Sequence, residues 1–131
     1  MKQLRIKRVY QEAAEDDGYR ILTDRLWPRG VAKNKAAIDE WAKEMAPSTE
    51  SRVWFGHRPE RFAEFAGRYT AELDANPAAP EFVERCRRLL LSTNVTLLYG
   101  ARDEVHNHAI VLQQWMKKLI THHSSGTTDK P

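Results

Sequence analysis

Two stretches of this 131-residue chain crowd polar and chargeable residues where apolar runs end: Thr23-Asp24-Arg25-Leu26-Trp27-Pro28-Arg29-Gly30, and Tyr99-Gly100-Ala101-Arg102-Asp103-Glu104-Val105-His106-Asn107-His108. Arg25 and Arg29 offer planar, permanently charged forks suited to carboxylate or phosphate. The second stretch opens the last helix, where the first N–H groups lack intrahelical partners and the macrodipole favours negative charge. Asn107 can add a side-chain donor there, and a third stretch, Trp54 to Pro59, contributes His57. Together they predict an anion cradle of two loops, with Arg25, Arg29, Asn107 and His57 as its ligand-binding residues. Asp103 and His108 are the expected general acid or base, since histidine titrates near neutral pH and a loop aspartate can be tuned. Taken singly, each residue also has an ordinary structural use. Asp103 can cap the last helix, Arg25 can pair with Asp24 or Asp103, and His57 can cap its own turn. Their joint occurrence at two strand ends is what points to a site.

Such loops need a sheet behind them. Arg5 to Tyr10 reads as a short strand, and Asp16-Asp17-Gly18 as a turn whose glycine is free to take positive φ. Tyr19 to Trp27 carries apolar neighbours side by side, the pattern of a strand buried on both faces, and Pro28-Arg29-Gly30 stops it. Ala36 to Ala46 reads as a helix with Ile38, Trp41, Ala42 and Met45 on one face. Pro47 ends it, Ser48-Thr49 caps a turn over Glu50 to Phe55, and Gly56 closes that turn. Pro59 opens a helix striped with Phe62, Phe65, Ala66, Tyr69 and Leu73. Pro80 opens another to Leu91, striped with Phe82, Cys86, Leu89 and Leu90. Asn94 to Tyr99 is the clearest strand, and the last helix runs from about Val105 to Ile120. This order predicts one α/β domain over residues 1–120, a small parallel or mixed sheet covered by about four or five helices, with a polar, frayed tail over 121–131. The short first connection argues against an ordinary right-handed crossover between the first two strands. If the second and third predicted strands run parallel, both polar loops share one rim, where ligands bind in open sheets.

Other chemistries are set aside on the same residues. A single cysteine, Cys86, excludes an internal disulfide and a thiolate-rich zinc site, and its place on an apolar stripe makes it a buried, inert thiol. His57, His106, His108 and Asp103 are metal-ligand types, but a spacing of two puts His106 and His108 on different sides of a helix, so no metal site is predicted. No phosphate-loop or dinucleotide glycine pattern occurs, and Ser48 and Ser92 lack a nucleophile elbow. No apolar run is long enough for a membrane span or a secretory signal, and the low cysteine content suits a reducing compartment, so a cytoplasmic location is expected. The net charge of +3 is far from the clustered excess of a dedicated DNA-binding domain.

The block Leu22-Thr23-Asp24-Arg25-Leu26-Trp27-Pro28-Arg29-Gly30, with Met45-Ala46-Pro47-Ser48, Trp54-Phe55-Gly56-His57, and Thr96 through Asp103 to Asn107-His108-Ala109, resembles the YeaO-like family of bacterial proteins, a domain of unknown function numbered 488. The resemblance covers Ile6 to about Leu119 and implies a compact α/β domain without an established biochemical role. A more distant branch is similar at the same strand ends but bears a Cys-His-Arg cluster where this chain reads Asn107-His108-Ala109. Thiol chemistry is therefore not carried over.

Two readings of function follow. One is an enzyme or ligand-binding domain for a small phosphorylated or carboxylated molecule, with no cofactor identified. The alternative is a module binding nucleic acid or a regulatory protein, using Arg85, Arg87, Arg88, Lys117 and Lys118 as basic surface. Four tryptophans leave room for an aromatic contact surface between two copies of the chain.

Overall fold

The strand β4 (Val95–Tyr99) is buried at every position. A strand with apolar side chains on both faces must be covered from both sides, and this requirement organises the molecule. In the computed structural model, which describes residues 1–34 and 36–129 with side chains as far as Thr121, β4 is flanked by β1 (Leu4–Arg8) and β2 (Tyr19–Leu22). The short β3 (Glu40–Trp41) adds the far edge, giving the order β1-β4-β2-β3 with every pair parallel. The first two strands are thus separated by the last, as the short connection between them required.

Alternation along the strands divides the core. Ile21, Val95 and Leu97 face a helical layer containing Phe65, Tyr69, Phe82, Cys86, Leu112 and Met116. That layer is built from α1 (Thr49–Phe55), α2 (Phe62–Ala75), α3 (Ala79–Leu89) and α4 (His108–Asp129). Leu22 and Leu98 face the other way, into a smaller cluster with Val9, Trp27, Val31, Ile38 and Trp41, all supplied by non-helical chain. This is the α/β domain expected, with four α-helices among the described residues.

One predicted helix is absent. Residues 36–46, described except for Lys35 just before them, form β3 and a single 3₁₀ turn, Lys43–Met45. The side chains do point inward as anticipated, Ile38 and Trp41 to the small cluster and Ala42 and Met45 to the large one. The backbone partners decide against the helix. Asp39 N–H donates to the Arg20 carbonyl at 2.8 Å, Arg20 N–H to Asp39 Oδ2 at 2.8 Å, and Ala42 N–H to the Leu22 carbonyl at 2.8 Å. The Arg20 guanidinium satisfies the carbonyls of Ala37 and Ala36 at 2.8 and 3.2 Å, taking the place of helical N–H donors. Arg20 is itself held by Asp17 at 2.5 Å, and both are buried. β2 also stops at Leu22 rather than Trp27, because the Asp24 carboxylate takes up the Gly100 N–H and the Trp41 indole donates to the Asp24 carbonyl.

α4 begins at His108, three residues later than expected, because residues 103–107 form their own turn. Its backbone continues to Asp129, beyond Ile120; the last two residues of the expected tail, Lys130 and Pro131, lie outside the described residues. The four tryptophans are engaged within the chain: Trp27 and Trp41 pack edge to face, Trp54 lies under Arg61 and Arg68, and the Trp115 indole donates to Asp74. Gly18, at φ 68°, is where β2 meets the turn before β4; a Cβ there would lie 2.1 Å from the Asn94 carbonyl oxygen, so only glycine fits.

The Asp17 carboxylate also accepts from Lys7 Nζ at 3.1 Å. Burial pushes its pKa up, but the Ala14 N–H, Lys7 and Arg20 outweigh that and hold it below the ordinary carboxylate value. Asp17→Ala would leave the Arg20 guanidinium buried and unpaired, and urea unfolding at pH 7 should show a loss of about 3–5 kcal/mol. Because the folded pKa is depressed, the contribution of Asp17 is complete above its unfolded pKa and declines as pH falls through the folded one. A loss under about 1 kcal/mol would mean that the pair does not hold the 36–41 segment in place.

Candidate functional site

With β2 and β4 parallel, their following loops meet at one end of the sheet. Between them, and against α1, lies a cleft of about 460 Å³. This is the position where parallel sheets ordinarily bind ligands. A second hollow, of about 610 Å³, opens at the other end beside Leu4 and Gln113, and among the described residues neither a histidine nor a carboxylate lines it.

The floor of the cleft is set by Thr23, Asp24, Gly100 and His108. Thr23, one residue beyond β2, donates its hydroxyl to the Leu98 carbonyl at 2.8 Å. The Asp24 carboxylate accepts the Gly100 N–H at 3.0 Å, closing the gap where the ladder would have continued. A Cβ on residue 100 would stand 2.7 Å from Asp24 Oδ2, so glycine is what lets the carboxylate approach. From the first position of α4, His108 Nε2 reaches the Thr23 carbonyl at 3.1 Å, Thr23 Oγ1 at 3.0 Å and Asp24 Oδ1 at 3.3 Å.

These contacts fix the tautomer. A carbonyl and a carboxylate only accept, and the Thr23 hydroxyl has spent its proton on Leu98, so Nε2 must carry the ring proton. Nδ1 is then a bare lone pair with no hydrogen-bond partner among the described residues. Among the described residues no buried side-chain nitrogen or oxygen goes unpartnered, and His108 lines the cleft, so Nδ1 opens onto it. Burial, with a smaller contribution from His57, pushes the His108 pKa down to about 4 against the opposing pull of the Thr23 carbonyl. The 3.3 Å approach to Asp24 is therefore a contact of a neutral imidazole at pH 7, not an ion pair, because desolvation outweighs the attraction at that distance. Asp24 is also shifted by burial, up to about 6, with the Gly100 N–H and the charge of Arg52 opposing.

Above this floor stand the cations. Arg25, Arg29 and Arg52 line the cleft, with His57 beside them, and Asp24 is the one carboxylate among the lining residues. Arg25 is braced from behind, its guanidinium donating to the carbonyls of Pro47 and Ala46 at 3.1 and 3.4 Å. It thus pairs with neither Asp24 nor Asp103. Arg29 is placed by the Tyr10 hydroxyl, which donates to its carbonyl at 2.8 Å. Arg29 and Arg52 are both exposed, and among the described residues neither guanidinium has an ion-pair or hydrogen-bond partner. His57 follows the helix-closing Gly56 and itself adopts a left-handed backbone, φ 59°, which turns the chain back over the cleft.

Two of the expected site residues have other work. Asp103 Oδ1 accepts from the backbone of Val105 and His106 at 2.8 and 2.9 Å, and Oδ2 meets His106 Nδ1 at 2.9 Å. Those bonds hold its pKa down to about 2, and it does not line the cleft. Asn107 does line it, but Oδ1 caps α4 by accepting from Ile110 N–H and Nδ2 donates to the Asp103 carbonyl. Among the described residues no group of three or more His, Cys, Asp or Glu is placed to hold a metal ion. Cys86 is buried, which pushes its thiol up to about 12. The basic stretch at α3 is largely neutralised, Arg85 pairing with Glu40 and Glu81 and Arg87 with Glu84. No helix among the described residues is long and apolar enough to cross a membrane.

Sequence reading missed Thr23, Asp24 and Arg52. Asp24 was in plain view, directly after a buried run, but its role depends on Gly100, a neighbour only across the sheet.

The assigned tautomer is open to direct measurement. Long-range ¹H–¹⁵N correlation spectra should show His108 as the neutral Nε2–H form from pH 5 to pH 8, while an exposed histidine titrates near the ordinary value of about 6.5. A His108 midpoint at or above about 6 would contradict the buried, Thr23-bound imidazole.

Comparison with known proteins agrees with the resemblance read from the motifs. The chain is 43% identical over 116 residues to the uncharacterized protein YeaO of Escherichia coli (strain K12), covering 88% of this chain and 98% of the relative. It is 42% identical over 111 residues to the uncharacterized protein Rv3073c of Mycobacterium tuberculosis, covering 85% and 91% of the two chains. No solved structure matches. A family model matches residues 3–131, and the chain accordingly belongs to the DUF488-N3i family, described as the inactive DUF488-N3 subclade.

Proposed function

We propose that this domain binds a small anionic molecule, phosphorylated or carboxylated, in the cleft beyond β2 and β4, and that it acts as a ligand-binding domain rather than an enzyme. The observation that carries the reading is the charge of the lining: three arginines against a single carboxylate, in a concave site of about 460 Å³. Sites of that size suit small molecules. Arg29 and Arg52 are available to form charge-assisted hydrogen bonds, and Arg25 is pre-positioned by its two carbonyl partners, so less ordering is required on binding.

The same geometry argues against catalysis. An imidazole held at about 4 is a weak base at pH 7, and Asp103, held at about 2 by its own turn, cannot serve as a general acid. Cys86 is buried, far from a nucleophile's requirements. The description of the family model as inactive is in keeping with a binding role.

Thermal denaturation against inorganic phosphate, phosphorylated metabolites and carboxylates tests this. A ligand at a hundred times its dissociation constant stabilises the native state by about 2.7 kcal/mol. Arg29→Ala and Arg52→Ala should each weaken the binding by about tenfold or more while leaving the free protein's melting temperature within a few degrees of the original. No stabilisation by any anion, or stabilisation indifferent to both substitutions, would overturn the assignment.

A further inference from the structure

The rim and the floor of the cleft ask for opposite things. At the rim, Arg29 and Arg52 can only donate hydrogen bonds. On the floor, Asp24 and His108 Nδ1 can only accept. His108 Nδ1 is a bare lone pair, since the ring proton sits on Nε2 against Thr23. The Asp24 carboxylate, its side chain 20% exposed, has lone pairs beyond those engaged by the Gly100 N–H and the edge of His108. The nearest donors are engaged: the Gly100 N–H on Asp24, the Thr23 hydroxyl on Leu98, and one of the two Asn107 amide protons on the Asp103 carbonyl.

From this division we infer that the cleft takes anions that carry a hydrogen-bond donor of their own, a protonated oxyanion or a hydroxy- or amino-substituted acid, and rejects anions of equal size and charge whose oxygens are all bare. The inference rests on the proposed anion-binding reading and narrows its ligand class. A ligand O–H or N–H directed at Asp24 or His108 Nδ1 converts the floor from a repulsive wall into a partner, while its anionic end meets the arginines. A donor-free oxyanion seated at the same depth sets lone pairs against lone pairs and one negative charge against another. Discrimination of this kind is built from the cost imposed on the wrong ligand as much as from contacts to the right one.

Inorganic phosphate and sulfate make the comparison directly, because they share shape and size. At pH 7.5 every phosphate retains at least one proton and sulfate has none. Isothermal titration of the full chain at constant ionic strength should show phosphate binding about tenfold or more tighter than sulfate, and glycolate tighter than acetate in the same sense. Asp24→Asn removes the carboxylate charge and supplies a donor, so the phosphate–sulfate gap should narrow to about twofold, chiefly through a gain in sulfate affinity. Equal or tighter binding of sulfate by the unaltered protein overturns the donor requirement while leaving the anion site standing. Binding of neither anion overturns the site itself, and the requirement with it. Should Asp24→Asn fail to fold, the phosphate–sulfate comparison on the unaltered protein decides the matter alone.

Discussion

Much of the architecture depends on how the face of the sheet turned away from the helices is covered. α1 to α4 all contribute to one layer, so the opposite face of β2 and β4 is closed by irregular chain, and irregular chain brings backbone groups that need partners. The buried Asp17–Arg20 pair meets that need. Arg20 caps the carbonyls of Ala36 and Ala37 from inside, and Asp17 holds both Arg20 and Lys7. With the 36–41 segment secured, Trp41 can reach back to the Asp24 carbonyl, and Trp27 can pack on Trp41. The loop that follows β2 is therefore fixed from beneath. The cleft inherits its shape from that bracing.

The ending of β2 at Leu22 has a chemical consequence. Because the ladder stops there, the Gly100 N–H is left for a side chain, and Asp24 takes it. Burial of that carboxylate beside the neutral His108 produces a floor of acceptors beneath a rim of arginines. Burial moves the two residues in opposite senses: it leaves the histidine too weakly basic to hold a proton at pH 7, and it brings the aspartate closer to neutrality.

Most of this fold was legible in the chain. β4 announced itself as an unbroken apolar run, and α2, α3 and α4 through stripes at helical spacing. The 36–46 segment misled because Ile38, Trp41, Ala42 and Met45 also suit helical spacing. The pattern reports which side chains are buried, and two clusters on opposite faces of a sheet can receive them as readily as one helix face. What broke the tie was Arg20, sixteen residues upstream of Ala36 in the chain, and no local pattern encodes that. The site was legible as a place rather than as a set of roles. Arg25, Arg29, His57, Asn107 and His108 do line one cleft. Asp103 does not, because a turn aspartate followed by free N–H groups satisfies them first. Asp24 and Arg52 were missed because their significance arises from neighbours brought together only by the parallel pairing of β2 and β4.

The most direct test of the account is to map where an anion binds. In an amide and arginine side-chain correlation spectrum, titration with inorganic phosphate should shift the Nε–H signals of Arg29 and Arg52 together with the amides of Gly100 and Ala101, along one saturable curve. Perturbations confined to Lys117, Lys118 and Arg88, or spread without saturation over the surface, would contradict the cleft as the binding site.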